Sequence, residues 1–111
     1  MDQPTRSTDV IQGTLDLLIL KSLSLEPMHG FGISQRIEQI SRGVFRVNPG
    51  SLLLAFQRLE RAGLVEAEWR VTENSRRAKY YRITRKGRAQ LDADARDWER
   101  RAAAIARLME A

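Results

Sequence analysis

Three features of this 111-residue sequence predict a mainly α chain with a small β-hairpin, arranged as a winged helix-turn-helix plus a long C-terminal dimerisation helix. Residues 48–64, NPGSLLLAFQRLERAGL, read as a capped helix with one apolar face. Residues 64–83 read as two strands around a polar turn. Beyond Thr84 an apolar residue recurs every three or four positions to the end of the sequence. The expected division is a flexible arm over 1–11, the winged domain over 12–84 and the dimerisation helix over 85–111.

Bulk composition narrows the function classes. The formal net charge is +5 and the sequence pI is about 10.4, which favours nucleic acid or another polyanion as a partner. Cysteine is absent, so disulfides and thiolate metal sites are excluded, and a reducing, cytoplasmic compartment fits. The longest apolar run, 15–25, is interrupted by Asp16, Lys21 and two serines and is too short for a bilayer, so no membrane role is expected. No cofactor or metal is expected either. His29 is the single histidine, which suits a structural or solvent-facing role, since a metal cage needs several such ligands. No nucleophile and base stand at a working spacing and no glycine-rich phosphate cradle occurs, so no catalytic residue is assigned.

Taken in order, residues 1–9 are polar around Pro4 and lack periodicity. A first helix over 12–24 carries Leu15, Leu17, Leu18, Ile19, Leu20 and Leu23, which leave it apolar on nearly every side. One small domain is not expected to bury all of that surface, so Leu15 and Leu18 are assigned to a partner interface. A second helix over 31–41 has Ile33, Ile37 and Ile40 on one stripe, preceded by Met28-His29-Gly30-Phe31-Gly32, where two glycines allow a tight turn. Arg42-Gly43 closes it, and residues 44–47 form a short extended piece.

The third helix is capped by Asn48, with Pro49 at the first helical position, where its missing N–H is no loss. Leu52, Ala55, Phe56 and Leu59 make its core stripe, and Gly63 ends it. Residues 64–72 alternate, with Val65, Ala67, Trp69 and Val71 on one side and Glu66, Glu68 and Arg70 on the other, as a strand requires. Turn chemistry at 73–77 leads to a return strand over 79–83. Thr84 then caps a helix whose Leu91, Ala95, Trp98, Ala102, Ile105 and Met109 are spaced 4, 3, 4, 3, 4, the seam of a coiled coil.

Two patterns point to double-stranded DNA. The outer face of the third helix presents Ser51, Gln57, Arg58 and Arg61 together with Leu53 and Leu54, and its N-terminus offers free N–H groups beside small residues. That equipment suits a helix entering the major groove, with Asn48, Gly50, Ser51, Leu53, Gln57 and Arg58 as the expected contacts. From 76 to 88 the chain holds Arg76, Arg77, Lys79, Arg82, Arg85, Lys86 and Arg88 with no acid among them, while Asp92, Asp94, Asp97 and Glu99 follow. Charge segregated in this way suits phosphates, with Arg76, Arg77 and Lys79 as the expected wing contacts. Either pattern alone is an ordinary solvated surface, and the rival class is a winged-helix module that binds a protein through Leu53 and Leu54. Structured RNA is a weaker rival. The seam implies a homodimer through Leu91, Ala95, Trp98, Ala102, Ile105 and Met109. Trp98 is either packing in that seam or, with its symmetry mate, a stacking platform for a small planar aromatic effector.

The segments LDLLIL at 15–20, HGFGI at 29–33, VNPGSL at 47–52, RLERAGL at 58–64 and RAKYYRIT at 77–84 together resemble the PadR family, the phenolic acid decarboxylase repressor type of regulator. The likeness runs from Gly13 to Ala111. It implies a homodimer that binds a palindromic operator and represses transcription, with the third helix in the major groove and the wing along the minor groove or backbone. It also implies dimerisation through the C-terminal helix, and in some multidrug-sensing members a tryptophan matching Trp98 lines an effector pore. Two positions depart from the pattern. Leu53 stands where the family usually has a tyrosine that contacts DNA through its hydroxyl, and Leu54 stands where it usually has proline. Leucine is suited instead to a thymine methyl, and Phe31 in place of a common tyrosine removes another hydroxyl.

Overall fold

In the computed structural model, which describes residues 4–71 and 73–111, with side chains from residue 14 onward, α1 (Pro4–Leu25) lies against the three later helices and one strand of the sheet. It packs against α2 (Gly30–Ile40), α3 (Pro49–Arg61), α4 (Arg85–Glu110) and the sheet. Leu15, Ile19, Leu20 and Leu23 are fully buried and Leu17 and Leu18 half-buried. Much of the apolar surface of this helix from Leu15 onward is therefore met within one chain, while Leu17, Leu18 and Leu25 keep part of theirs open. α1 begins at Pro4, so residues 4–11, expected as an arm, form its first turns. Proline suits the first helical position, and no breaker follows until Gly13. The remainder of the expected arm, 1–3, lies outside the described residues.

The sheet has the order β1-β3-β2, with β1 (Met28–His29), β2 (Val65–Val71) and β3 (Arg77–Ile83) all antiparallel. β1 was not expected: two residues carry no period, and only pairing of Met28 with Tyr81 and His29 with Tyr80 makes them a strand. Conversely, the extended piece expected at 44–47 joins no sheet. It is held by the Phe45 N–H donating to Ser41 Oγ at 3.0 Å, with Phe45 and Val47 laid against the core. β3 starts two residues earlier than expected, and Thr72, at the expected end of the preceding strand, is not among the described residues.

Local chemistry explains the helix ends. His29 Nδ1 accepts the Gly32 N–H at 3.0 Å and so caps α2. That helix buries Ile33 and Ile37 but leaves Ile40, the third member of its stripe, on the surface, since the chain turns away through Arg42 and Gly43, both at positive φ. Asn48 Oδ1 accepts the N–H groups of Gly50 at 2.7 Å and Ser51 at 3.2 Å, and Pro49 begins α3. Leu52, Ala55, Phe56 and Leu59 go into the core, and Gly63 at φ 76° turns the chain into β2. Thr84 Oγ1 accepts the Gly87 N–H at 2.9 Å and donates to the Gly63 carbonyl at 2.8 Å, tying the start of α4 to the end of α3. Gly87 is required there because a Cβ would collide with the Leu64 carbonyl.

Candidate nucleic-acid interface

α3 is fixed from behind by its core stripe and by Phe56, whose ring stacks on Tyr81 of β3 at 4.0 Å and 5°. Burial pushes the Tyr81 phenol up from its usual pKa, an effect that neighbouring Lys79 opposes. The helix thus presents an opposite face made of Gly50, Leu53, Leu54, Gln57 and Arg61, all exposed. Leu53 and Leu54 are 56% and 53% exposed. Asn48 is exposed, but its side-chain oxygen is already shared by two N–H groups, so it positions the helix rather than offering a free acceptor. Ser51 is half-buried, and its N–H is taken by the same cap.

Arg58 does not join that face. Its Nη2 lies 2.8 Å from Asp16 Oδ1, a half-buried bridge from α3 to α1. The signal was in the sequence: a lone carboxylate in an apolar helix needs a cationic partner nearby. Arg58, expected as a base contact, is a tether between helices.

Across the wing and the first turn of α4 the basic residues divide into two groups. Lys79 reaches Glu60 Oε1 at 3.5 Å, Arg82 reaches Glu66 at 3.0 Å and Glu68 at 3.5 Å, and the Lys86 ammonium donates to the Ala62 carbonyl at 2.9 Å. Arg76, Arg77, Arg85 and Arg88 have no carboxylate partner among the described residues and face solvent. The Arg77 guanidinium carbon lies over Trp69, 4.8 Å from the ring centroid, which holds its charge on the wing without neutralising it. Of the three wing residues assigned to phosphate, Arg76 and Arg77 are therefore available, while Lys79 is half-buried and shared with an acid.

Between α3 and the wing lies a cleft of about 540 Å³ that sequence reasoning missed. Phe31, Leu53, Trp69 and Ala78 line it, with Phe56 and Tyr81 at its base. Trp69 and Val71 were read on one side of β2 with Val65 and Ala67; the hairpin leaves the body beyond Ala67, and both are exposed. The available clue was length, since a strand pair this long outruns the small core beneath it.

The residues assigned to the dimer interface separate. Leu15 and Leu91, at 1% and 8% exposure, are already spent in this chain's own core, so neither presents the partner surface expected of it. Leu18 and Ala95 are half-buried, while Trp98, Ala102, Ile105 and Met109 are exposed along the outer part of α4, joined by Leu108. The molecule extends 56 × 34 × 24 Å, and no helix among the described residues is long and apolar enough to cross a membrane.

Comparison with known proteins agrees with this geometry. The family model of the PadR-like transcriptional regulators matches residues 19–93. The chain is 39% identical over 83 residues to the transcriptional regulator Rv3488 of Mycobacterium tuberculosis, covering 75% of this chain and 74% of that one. It is 34% identical over 91 residues to an uncharacterised protein of Lysinibacillus sphaericus, covering 82% and 84%. Among solved structures, a transcriptional regulator from Clostridium thermocellum superposes with a TM-score of 0.81 at 30% identity, over 89% of this chain and 96% of that one. A PadR-like regulator from Bacillus cereus superposes at 0.80 and 24% identity, over 93% and 98%, a likeness of fold. With a capped outward helix, a wing carrying uncompensated arginines and a family model spanning most of the fold, the chain belongs to the PadR-like family of transcriptional regulators and is a DNA-binding regulator rather than an enzyme.

Proposed function

We propose that this chain acts in the cytoplasm as a homodimeric transcriptional repressor, with two copies of α3 in successive major grooves of a palindromic operator and the wings along the backbone. The observation that carries the dimer is the outer seam of α4, where Trp98, Ile105, Leu108 and Met109 stand in water. A row of large apolar side chains at coiled-coil spacing gains most by meeting an identical row. A two-fold axis through that seam sets the two recognition helices about 34 to 36 Å apart, one turn of DNA. Trp98 lies midway along the seam, and paired with its mate it forms the platform proposed for a small planar aromatic effector, whose binding would re-space the two helices and release the operator.

Sedimentation of the wild type and Ile105→Asp, together with their binding to DNA from upstream of the gene, tests this reading. Carboxylates at the seam lose their hydration on pairing, so the variant is expected to sediment as a monomer and lose specific binding in parallel. A dimer that survives the substitution would move the interface elsewhere. The exposed Leu53 and Leu54 favour one rival, a protein-binding winged helix. Salt separates the two, because DNA binding weakens steeply with ionic strength and an apolar protein contact hardly responds. A reporter driven from the bound upstream region fixes the sign of regulation, with repression expected.

A further inference from the structure

The tether between Arg58 and Asp16 changes what α3 can read. In the major groove guanine is most often read by the fork of an arginine, adenine by glutamine or asparagine, and thymine by contact with its methyl group. The exposed positions of α3 are Pro49, Gly50, Leu53, Leu54, Gln57, Glu60 and Arg61; Glu60 is paired with Lys79 of the wing at 3.5 Å, and Arg58, held 2.8 Å from Asp16, is half-buried. Arg61 lies in the last turn, at the far end from the N-terminus that enters the groove. The central reading set is then two branched alkyl groups and one amide. Leu53 and Leu54 precede Gln57 by about one helical turn, a rise of roughly 5 Å, which spans one to two base steps of about 3.4 Å.

We propose that this set makes the chain a reader of A·T pairs, with Leu53 and Leu54 packed on thymine 5-methyl groups and Gln57 forked onto N6 and N7 of an adenine one or two steps away. This rests on the DNA-reading role proposed above. A leucine pressed on the edge of a G·C pair strips water from its polar groups and returns no hydrogen bond. Pressed on a thymine it buries a methyl instead. Leu53 is not a stray apolar group on a polar face: it continues into the cleft walled by Phe31 and Trp69, so the apolar surface is contiguous from Leu53 to the wing. Arg76 and Arg77, without carboxylate partners among the described residues, supply the charge complementarity that holds a duplex against it.

The test selects duplexes from a random pool with the full chain, then replaces thymine by deoxyuridine in the selected half-site, which removes only the methyl. We expect A·T pairs at the centre of each half-site and about a fourfold loss of affinity for each buried methyl removed. A chain carrying Leu53→Ala and Leu54→Ala, both on the surface and checked for helix content by circular dichroism, should bind the two duplexes equally. The wild-type comparison alone decides whether methyl groups are read: equal affinity for both duplexes overturns the proposal and leaves DNA binding intact. Discrimination that persists in the double variant overturns the assignment to these leucines. A pool that yields no preferred sequence at low salt removes the DNA-reading role, and this inference with it.

Discussion

At the scale of single residues, partners decide roles that residue type alone leaves open. Arg58 is the clearest case, since its guanidinium is occupied by Asp16 at 2.8 Å. Arg58→Ala is expected to lower folding stability by about 1 kcal/mol, between the values of exposed and buried charged contacts, because both partners are partly solvated. Its effect on binding should follow the loosening of α3 against α1 and fall on specific and random DNA alike. A stability unchanged in chemical denaturation, with binding to the specific site alone reduced, would return Arg58 to the base-contacting set. Tyr81 gives a pH-dependent expectation. Its folded pKa is raised above 10.0, chiefly by burial, so the neutral phenol is favoured by folding. Its contribution is complete below about pH 10 and declines as pH rises through the folded pKa. Tyr81→Phe should flatten the alkaline decline of stability relative to the wild type, and parallel curves would show that Tyr81 is not its source.

At the scale of elements, the hairpin and α3 divide the work by chemistry. The wing offers charge with little shape, and α3 offers shape with little charge once Arg58 is tethered. Arg76→Ala combined with Arg77→Ala is therefore expected to weaken specific and random DNA by similar factors. The slope of log affinity against log salt should fall by roughly 0.9 for each phosphate that a subunit no longer neutralises. An unchanged slope in a folded variant would show that the wing does not touch the backbone. Gln57→Ala should behave in the opposite way, reducing specific binding by about 1 to 3 kcal/mol and leaving random DNA almost untouched.

At the scale of the molecule, α4 is the element whose outer half lies uncovered in the single chain. Its first half is anchored by Leu91 and Gly87 in the core, and its second half carries Trp98, 48% exposed, and Met109, 78% exposed. The proposed dimer predicts that stability depends on protein concentration. Trp98→Ala should lower the unfolding midpoint at concentrations where dimers form and change it little on dilution. With Trp69→Phe in the background, the remaining indole also reports planar aromatic ligands by quenching. A midpoint insensitive to the substitution at all concentrations would remove Trp98 from the interface, and an unquenched indole would remove the effector platform.

Sequence by itself determined the elements whose signals are local. Asn48-Pro49, Gly63 and Thr84 each act within four residues, through a cap, a positive φ or a fixed one, so the boundaries of α3 and the start of α4 were legible. The core stripe of α3 was legible because helical spacing alone puts Leu52, Ala55, Phe56 and Leu59 on one side. Tertiary structure decided whatever depends on a partner far away in the chain. It made a strand of Met28 and His29, joined Arg58 to Asp16 across 42 positions, and buried Leu15, Ile19, Leu20 and Leu23 of α1 within one subunit. It also stopped the core short of Trp69, so that an alternating strand became the wall of a cleft. Periodicity records which residues share a face. Only the packing of the other elements settles whether that face meets core, solvent or a partner, because burial is a property of the assembled surface and not of the repeat.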